Sequence, residues 1–221
     1  MHCYLHVVNT RPVATRRSPM PIRRGIARIF WRLSRWTYVP ESPRYEGSRI
    51  VIGAPHTSNW DFVFMLCIAW SEGLRLRWLG KKSLFAGWRR PIMRGLGGIP
   101  VDRANPAGLV DTLVSEMRAD PDLVLVVTPE GTRSSGTTWR SGFYRIALAA
   151  QVPVTLGYVD RPSRTCGLGE TLRLTADVSA DMDRIRAFYA DKSGLRPELR
   201  TEPRLSDEAG GSATTTDPDK R

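Results

Sequence analysis

A histidine and an aspartate five residues apart, His56 and Asp61, hold the chemistry that stands out in this chain. An imidazole with one nitrogen facing a carboxylate is held in a single tautomer. Its other nitrogen is then left to take a proton from a hydroxyl. The other two histidines, His2 and His6, lie in a leader without periodic pattern, so His56 is the candidate base. On a regular helix a five-residue step is about 500°, which leaves the two side chains roughly 140° apart. They meet only if the backbone turns between them. A structural use competes: Ser58 or Asn59 caps a helix, Asp61 complements its dipole, and His56 fills space.

The pair follows the apolar run Ile50-Val51-Ile52 and precedes Phe62-Val63-Phe64-Met65-Leu66, which reads as strand, turn and helix. Ligands in open α/β sheets gather at the carboxyl ends of strands. Two further apolar runs end in polar segments: Gly97-Gly98-Ile99-Pro100-Val101 leads into Asp102-Arg103, and Leu123–Val127 leads into Thr128-Pro129-Glu130-Gly131-Thr132-Arg133-Ser134. In a parallel sheet these three ends share one rim. Gly131 permits close backbone approach, Thr132 and Ser134 offer hydroxyls, and Arg133 offers a fork suited to phosphate. Arg103 would add a second cation, and Glu130 would hold an arginine or accept from a substrate hydroxyl. A surface ion pair at Arg103 and a plain turn at 130–132 are the ordinary alternatives. Lys81 and Lys82 after another strand would meet a carrier's phosphates or remain solvated.

The elements needed to position these residues follow from periodicity. Strands are expected at 50–52, 74–79, 98–101, 123–128 and 152–159, alternating with helices at 60–70, 84–94, 106–118 and 143–150. An edge strand at 171–174 and a last helix at 182–190 complete the set. Such β-then-α order predicts an α/β fold, a single domain with a mostly parallel sheet flanked by helices. Ahead of it, Ile22, Ile26, Ile29, Phe30, Leu33 and Trp36 recur at helical spacing among Arg23, Arg24, Arg28, Arg32 and Arg35. This N-terminal basic amphipathic helix would suit an anionic membrane surface, or simply pack on the domain. The chain thus divides into a disordered leader at 1–19, the helix at 20–39, the main domain at 44–196, and a disordered tail at 197–221 poor in apolar residues.

Composition narrows the function classes. The net charge of +11 is an N-terminal feature: eight arginines and no acid fall in residues 1–40, leaving the rest near +3. No groove-reading motif accompanies them, so no nucleic-acid partner is expected. Three widely spaced cysteines form neither a disulfide framework nor a metal pattern, and a reducing interior is the default. No apolar run approaches the ~20 residues of a membrane span, and the first ten residues lack a secretory signal. The expected location is cytoplasmic, peripheral on the inner face of the plasma membrane.

Four of these motifs, in order, are similar to those of the glycerol-phosphate/lysophosphatidate acyltransferase family. His56 and Asp61 match its His-x4-Asp, Gly98 to Arg103 its second motif, Glu130-Gly131-Thr132-Arg133-Ser134 its third, and Val152-Pro153-Val154 its fourth. Pro55 stands where many members carry Asn, and Asn59-Trp60 resembles a bacterial subgroup. The resemblance covers roughly residues 50–160. It implies a glycerol-3-phosphate acyltransferase-like fold and transfer of a fatty acyl group from a thioester to a hydroxyl, without a covalent acyl-enzyme. His56 would be the general base and Asp61 its orienting partner. Arg103, Glu130, Gly131, Thr132 and Arg133 would bind the acceptor's phosphate or a neighbouring polar group. The donor would be acyl-CoA or acyl-carrier protein and the acceptor a lysophospholipid or other hydroxyl compound, with no cofactor and no metal. A thioesterase using the same pair on water, and a non-catalytic basic membrane-binding protein, are the competing functions.

Overall fold

The structure is a computed structural model that describes residues 21–101, 106–133, 136–206 and 208, the side chains of 106 and 107 excepted. Among the described residues seven strands form one sheet: β1 (Thr37–Val39), β2 (Arg49–Gly53), β3 (Leu76–Lys81), β4 (Gly98–Val101), β5 (Val124–Val127), β6 (Val154–Asp160) and β7 (Thr165–Leu172). Their order is β1-β7-β6-β2-β5-β3-β4, and every pair is parallel except β6 with β7. The helices are α1 (Pro21–Ser34), α2 (Trp60–Glu72), α3 (Arg89–Gly95), α4 (Pro106–Ala119), α5 (Gly142–Ala150) and α6 (Val178–Tyr189).

Alternation along the strands sends side chains to two covered faces. Ile50, Ile52, Leu125, Val154 and Leu156 pack under α4, α5 and α6, against Leu113, Phe143, Met182 and Ile185. Val51, Val124, Val126 and Trp78 point the other way, against Phe64 and Ile68 of α2. With both faces buried, β2 and β5 are continuous apolar runs, which is why their sequence signal is strong.

The α/β architecture with a mostly parallel sheet is as expected; several boundaries differ. β1 is an additional strand. β7 covers 165–172, where an edge strand at 171–174 was expected. The helix expected at 84–94 is interrupted near Gly87: a 3₁₀ turn at Lys82–Phe85 precedes α3. The amphipathic helix divides its apolar residues. Phe30 and Trp31 face α2, with rings 5.3 and 6.0 Å from Phe64, and Ala27 is fully buried. Ile22, Ile26, Ile29 and Leu33 point outward and are 77, 48, 60 and 78 % exposed. Residues 197–205, expected within a disordered tail, instead fold back onto the domain. Leu205 is 2 % exposed, and Trp139 N donates to Arg204 O at 2.7 Å. The leader at 1–19 and the tail at 209–221 lie outside the described residues.

At the start of β2, Arg49 is fully buried and binds both oxygens of Glu41, together with Thr155 Oγ1 at 3.3 Å. Beside it Glu72 accepts from Tyr38, Arg44 and the Glu41 N–H. All four carboxylate oxygens of this cluster are occupied. Burial pushes Glu72 up, but the hydrogen bonds from Arg44 and Tyr38 outweigh it and hold its carboxyl below the usual range.

Candidate functional site

β2 ends at Gly53 in the middle of the sheet, between β5 and β6. The chain then runs through Ala54–Asn59 before α2 begins at Trp60. His56 therefore lies in a turn and Asp61 in the first helical turn, so the 140° of a continuous helix does not separate them. His56 Nδ1 is 3.1 Å from Asp61 Oδ2, and both side chains are mostly buried. The same oxygen accepts the backbone N–H groups of Thr57 at 2.8 Å and Ser58 at 2.7 Å. Asn59, at the N-cap position, makes no side-chain cap, and Ser58 Oγ accepts from Trp60 N at 3.2 Å. Asp61 thus shapes the turn and faces the imidazole at once. A carboxylate at Nδ1 favours the proton there and leaves Nε2 as the acceptor.

Glu130 reaches this turn from the end of β5. Its Oε1 accepts the His56 backbone N–H at 2.8 Å, and it is only 5 % exposed. Glu130, expected to hold an arginine or to meet substrate, lies beneath His56 and fixes its main chain. Burial pushes its carboxyl up to about 7, helped by the nearby Asp61 and opposed by the His56 N–H and Arg200. Two oxygens of the cluster, Asp61 Oδ1 and Glu130 Oε2, are buried without a hydrogen-bond partner among the described residues.

Gly131, at φ +68°, turns the chain where a β-carbon would run into the Arg140 guanidinium. Beyond it Thr132 and Arg133 are exposed at the rim. Arg103 and Ser134 lie outside the described residues. β4, which ends at Val101, lies three strands from β2 in the sheet, or about 14 Å. The rim therefore brings His56, Asp61, Glu130, Gly131, Thr132 and Arg133 into one neighbourhood. Among the described residues no group of three His, Cys, Asp or Glu side chains could hold a metal ion.

A strap that sequence reasoning missed closes the site from behind. Residues 193–201 run past the His56 turn: Arg196 N donates to Thr57 Oγ1 at 3.0 Å, and Ser193 N donates to Asp160 at 2.9 Å. Gly194, at φ +72°, lies so close that a β-carbon would stand 3.0 Å from Pro55 Cβ and Thr57 Oγ1. Further on, Thr201 Oγ1 accepts from Gly136 N at 2.9 Å, tying the strap to the loop after β5. The available signal was Gly194 itself, a glycine between Ser193 and Leu195 that closes no predicted element.

The family model described as Acyltransferase matches residues 34–155, more than half of the chain. Among solved structures, one similar to this chain is the 1-acyl-sn-glycerophosphate (LPA) acyltransferase PlsC from Thermotoga maritima. It is 14 % identical, with a TM-score of 0.52 over 77 % of this chain and 75 % of that one. That likeness is one of fold. No curated protein matches. The strap lies beyond the residues that the family model covers.

Proposed function

The chain belongs to the acyltransferase family, and we propose that it moves a fatty acyl group from an acyl thioester to the hydroxyl of a lysophosphatidate-like acceptor. The observation that carries this reading is the His56–Asp61 contact at 3.1 Å, held by three backbone N–H bonds at the centre of the rim. His56 Nε2 takes the acceptor's hydroxyl proton as its oxygen attacks the thioester carbonyl. The tetrahedral intermediate collapses, the C–S bond breaks, and the leaving thiolate takes the proton back from the imidazolium. Ester and free thiol are the products, and the histidine is restored. The thioester is already activated, so a positioned base suffices without an acyl-enzyme. Asp61 orients the base, Glu130 positions its main chain, and Gly131, Thr132 and Arg133, with Arg103, meet a substrate phosphate.

The outward stripe of α1 supports a peripheral role at an anionic membrane. Four exposed aliphatic side chains lie beside exposed Arg28, Arg32 and Arg35, and Trp60, 61 % exposed, stands at the start of α2. Among the described residues no helix is long and apolar enough to cross a membrane.

The test is thiol release from palmitoyl-CoA with and without lysophosphatidate, with the lipid products identified. Acceptor-dependent release with matching diacyl product is expected. Free palmitate in its place would make the protein a hydrolase. No release in either condition would remove this donor and acceptor together.

A further inference from the structure

The exposed apolar side chains are not spread over the molecule. Among the described residues nine large ones are exposed. Four are on α1, Trp60 starts α2, and Leu84, Trp88 and Ile92 belong to the segment formed by the 3₁₀ turn and α3. The ninth is Val39 of β1, and α4, α5 and α6 have none. α1, α2, the 3₁₀ turn and α3 cover one face of the sheet, where Phe30, Phe64, Phe85 and Met93 join a single core cluster. α1 and α3 also touch: Arg23 Nη2 donates to Gly95 O at 3.0 Å.

Packing does not account for α3. It is seven residues long, contains Pro91 and has no buried residue, and a helix that short is not stable alone in water. Met93 packs toward the sheet. Trp88 and Ile92, one turn apart, are 77 and 47 % exposed. Gly87, at φ +56°, makes the turn before them, and a β-carbon there would meet nothing within 4 Å. Arg89, Arg90 and Arg94 are exposed beside them, and among the described residues none has a carboxylate partner. The charge of this layer is one-sided. Residues 73–101 hold seven lysines and arginines and no acid, and α1 has no acid either. The two acids of α2, Asp61 and Glu72, have side chains only 11 and 3 % exposed.

Cations alone would suit an acidic protein, but here apolar and cationic side chains alternate over two separate elements. A lipid surface uses both kinds, since indole and aliphatic groups enter at headgroup level while guanidinium groups bind phosphate. A flat surface also engages α1 and α3 together without matched relief. We propose that the segment 82–95 is a second membrane-docking element, in which Leu84, Trp88 and Ile92 enter an anionic lipid surface and Arg89, Arg90 and Arg94 bind its phosphates. This rests on the peripheral-membrane reading of α1 and not on the reaction.

The test places a fluorophore on each element of the full chain. Cys67 and Cys166 are buried, so in a Cys3→Ser background Trp88→Cys, Ile29→Cys and Ser179→Cys are labelled one at a time. Ser179, exposed on α6, is the control. Vesicles of phosphatidylcholine and phosphatidylglycerol with brominated chains are expected to quench the labels at 88 and 29 and leave that at 179 unchanged. Without labels, Trp88→Ala/Ile92→Ala and Arg89→Gln/Arg90→Gln/Arg94→Gln each weaken sedimentation with these vesicles about tenfold or more, at an unchanged melting temperature. Arg89→Lys/Arg90→Lys/Arg94→Lys retains the binding, and on phosphatidylcholine alone the glutamine variant and the wild type sediment alike. Quenching at 29 with none at 88 leaves α1 as the sole anchor and overturns the proposal. No quenching at either overturns it together with the peripheral reading. Equal quenching at 179 makes the binding nonspecific adsorption and overturns it. A label at 88 that responds to acyl-carrier protein but not to vesicles gives this face to an acidic protein, which also overturns it. Quenching at 88 without acyl transfer to a monomeric acceptor supports the surface and removes only the reaction.

Discussion

The two ends of β2 carry buried polar clusters of opposite design. At its start, Arg49, Glu41, Glu72, Tyr38 and Arg44 pair so completely that every carboxylate oxygen has a donor; only Arg49 Nε is unmatched. After its end, Asp61 and Glu130 leave one oxygen each without a partner among the described residues, and burial pushes the Glu130 carboxyl up to about 7. An unsatisfied buried oxygen costs about 1–3 kcal/mol. The first cluster is arranged to hold the sheet to α2 and the 41–44 segment. The second accepts that cost where Asp61 Oδ2 faces the imidazole at Nδ1 and Glu130 holds its main chain. Burial alone does not separate structure from chemistry; the pattern of satisfaction does.

The contrast is sharpest where one end is broken without the other. Arg49→Met removes one partner of a buried pair and is expected to cost roughly 3–5 kcal/mol. Thermal unfolding measures that loss, while the transfer rate per folded molecule stays as in the wild type. Gly194→Val works at the other end. Its β-carbon strains a φ of +72° and presses on Pro55 and Thr57, so kcat should fall about tenfold for a stability loss of about 1–3 kcal/mol. A parallel fall in folded fraction and rate, with kcat per folded molecule intact, would reduce the strap to packing.

Glu130 gives the comparison a pH signature. Its carboxyl titrates near 7 in the folded protein and near 4.5 ordinarily. Between those values the folded chain holds more protons, so this contribution to stability is complete below about pH 4.5 and is lost as pH rises through 7. Glu130→Gln is neutral at every pH and can still accept the His56 N–H. Its melting temperature relative to wild type should rise from about pH 5 to pH 8, by up to about 1.4 kcal/mol per pH unit in stability. A constant difference would mean that Glu130 is already ionised. The smallest effect on catalysis is expected at the molecule's outer face. Ile22→Glu should weaken sedimentation with anionic vesicles about tenfold and leave the rate on monomeric acceptor within about twofold.

The halves of the molecule also differ in how legible they were. β2, β5 and β6 read clearly because strands buried on both faces must be apolar throughout, and the motifs at the ends of β2 and β5 stand directly after those runs. β7 did not. Gly167 sits where a β-carbon would strike the Val39 carbonyl, and Gly169 lies against Phe188, so close packing removed the apolar residues that would have marked the strand. β1, at three residues, is too short to show a period. The strap is attached through its backbone N–H groups and Thr201 Oγ1, and the segment after it through the buried Leu205, none of which leaves a periodic trace among its Glu, Pro and Arg residues. Glu130 was singled out, but its burial under His56 depends on β2 and β5 being neighbours, and the order of strands is not written in either segment. On α1 the spacing located the helix but merged its inward and outward apolar residues into one face.

The central claim is that His56 and Asp61 act as one unit, and a double-mutant cycle in acceptor-dependent acyl transfer tests it most directly. His56→Ala is expected to lower kcat by about 10²–10⁴-fold with an unchanged melting temperature. Asp61→Asn should cost less, and the double variant should be no slower than His56→Ala alone. Losses that multiply in the double variant, or wild-type transfer by His56→Ala, would contradict it.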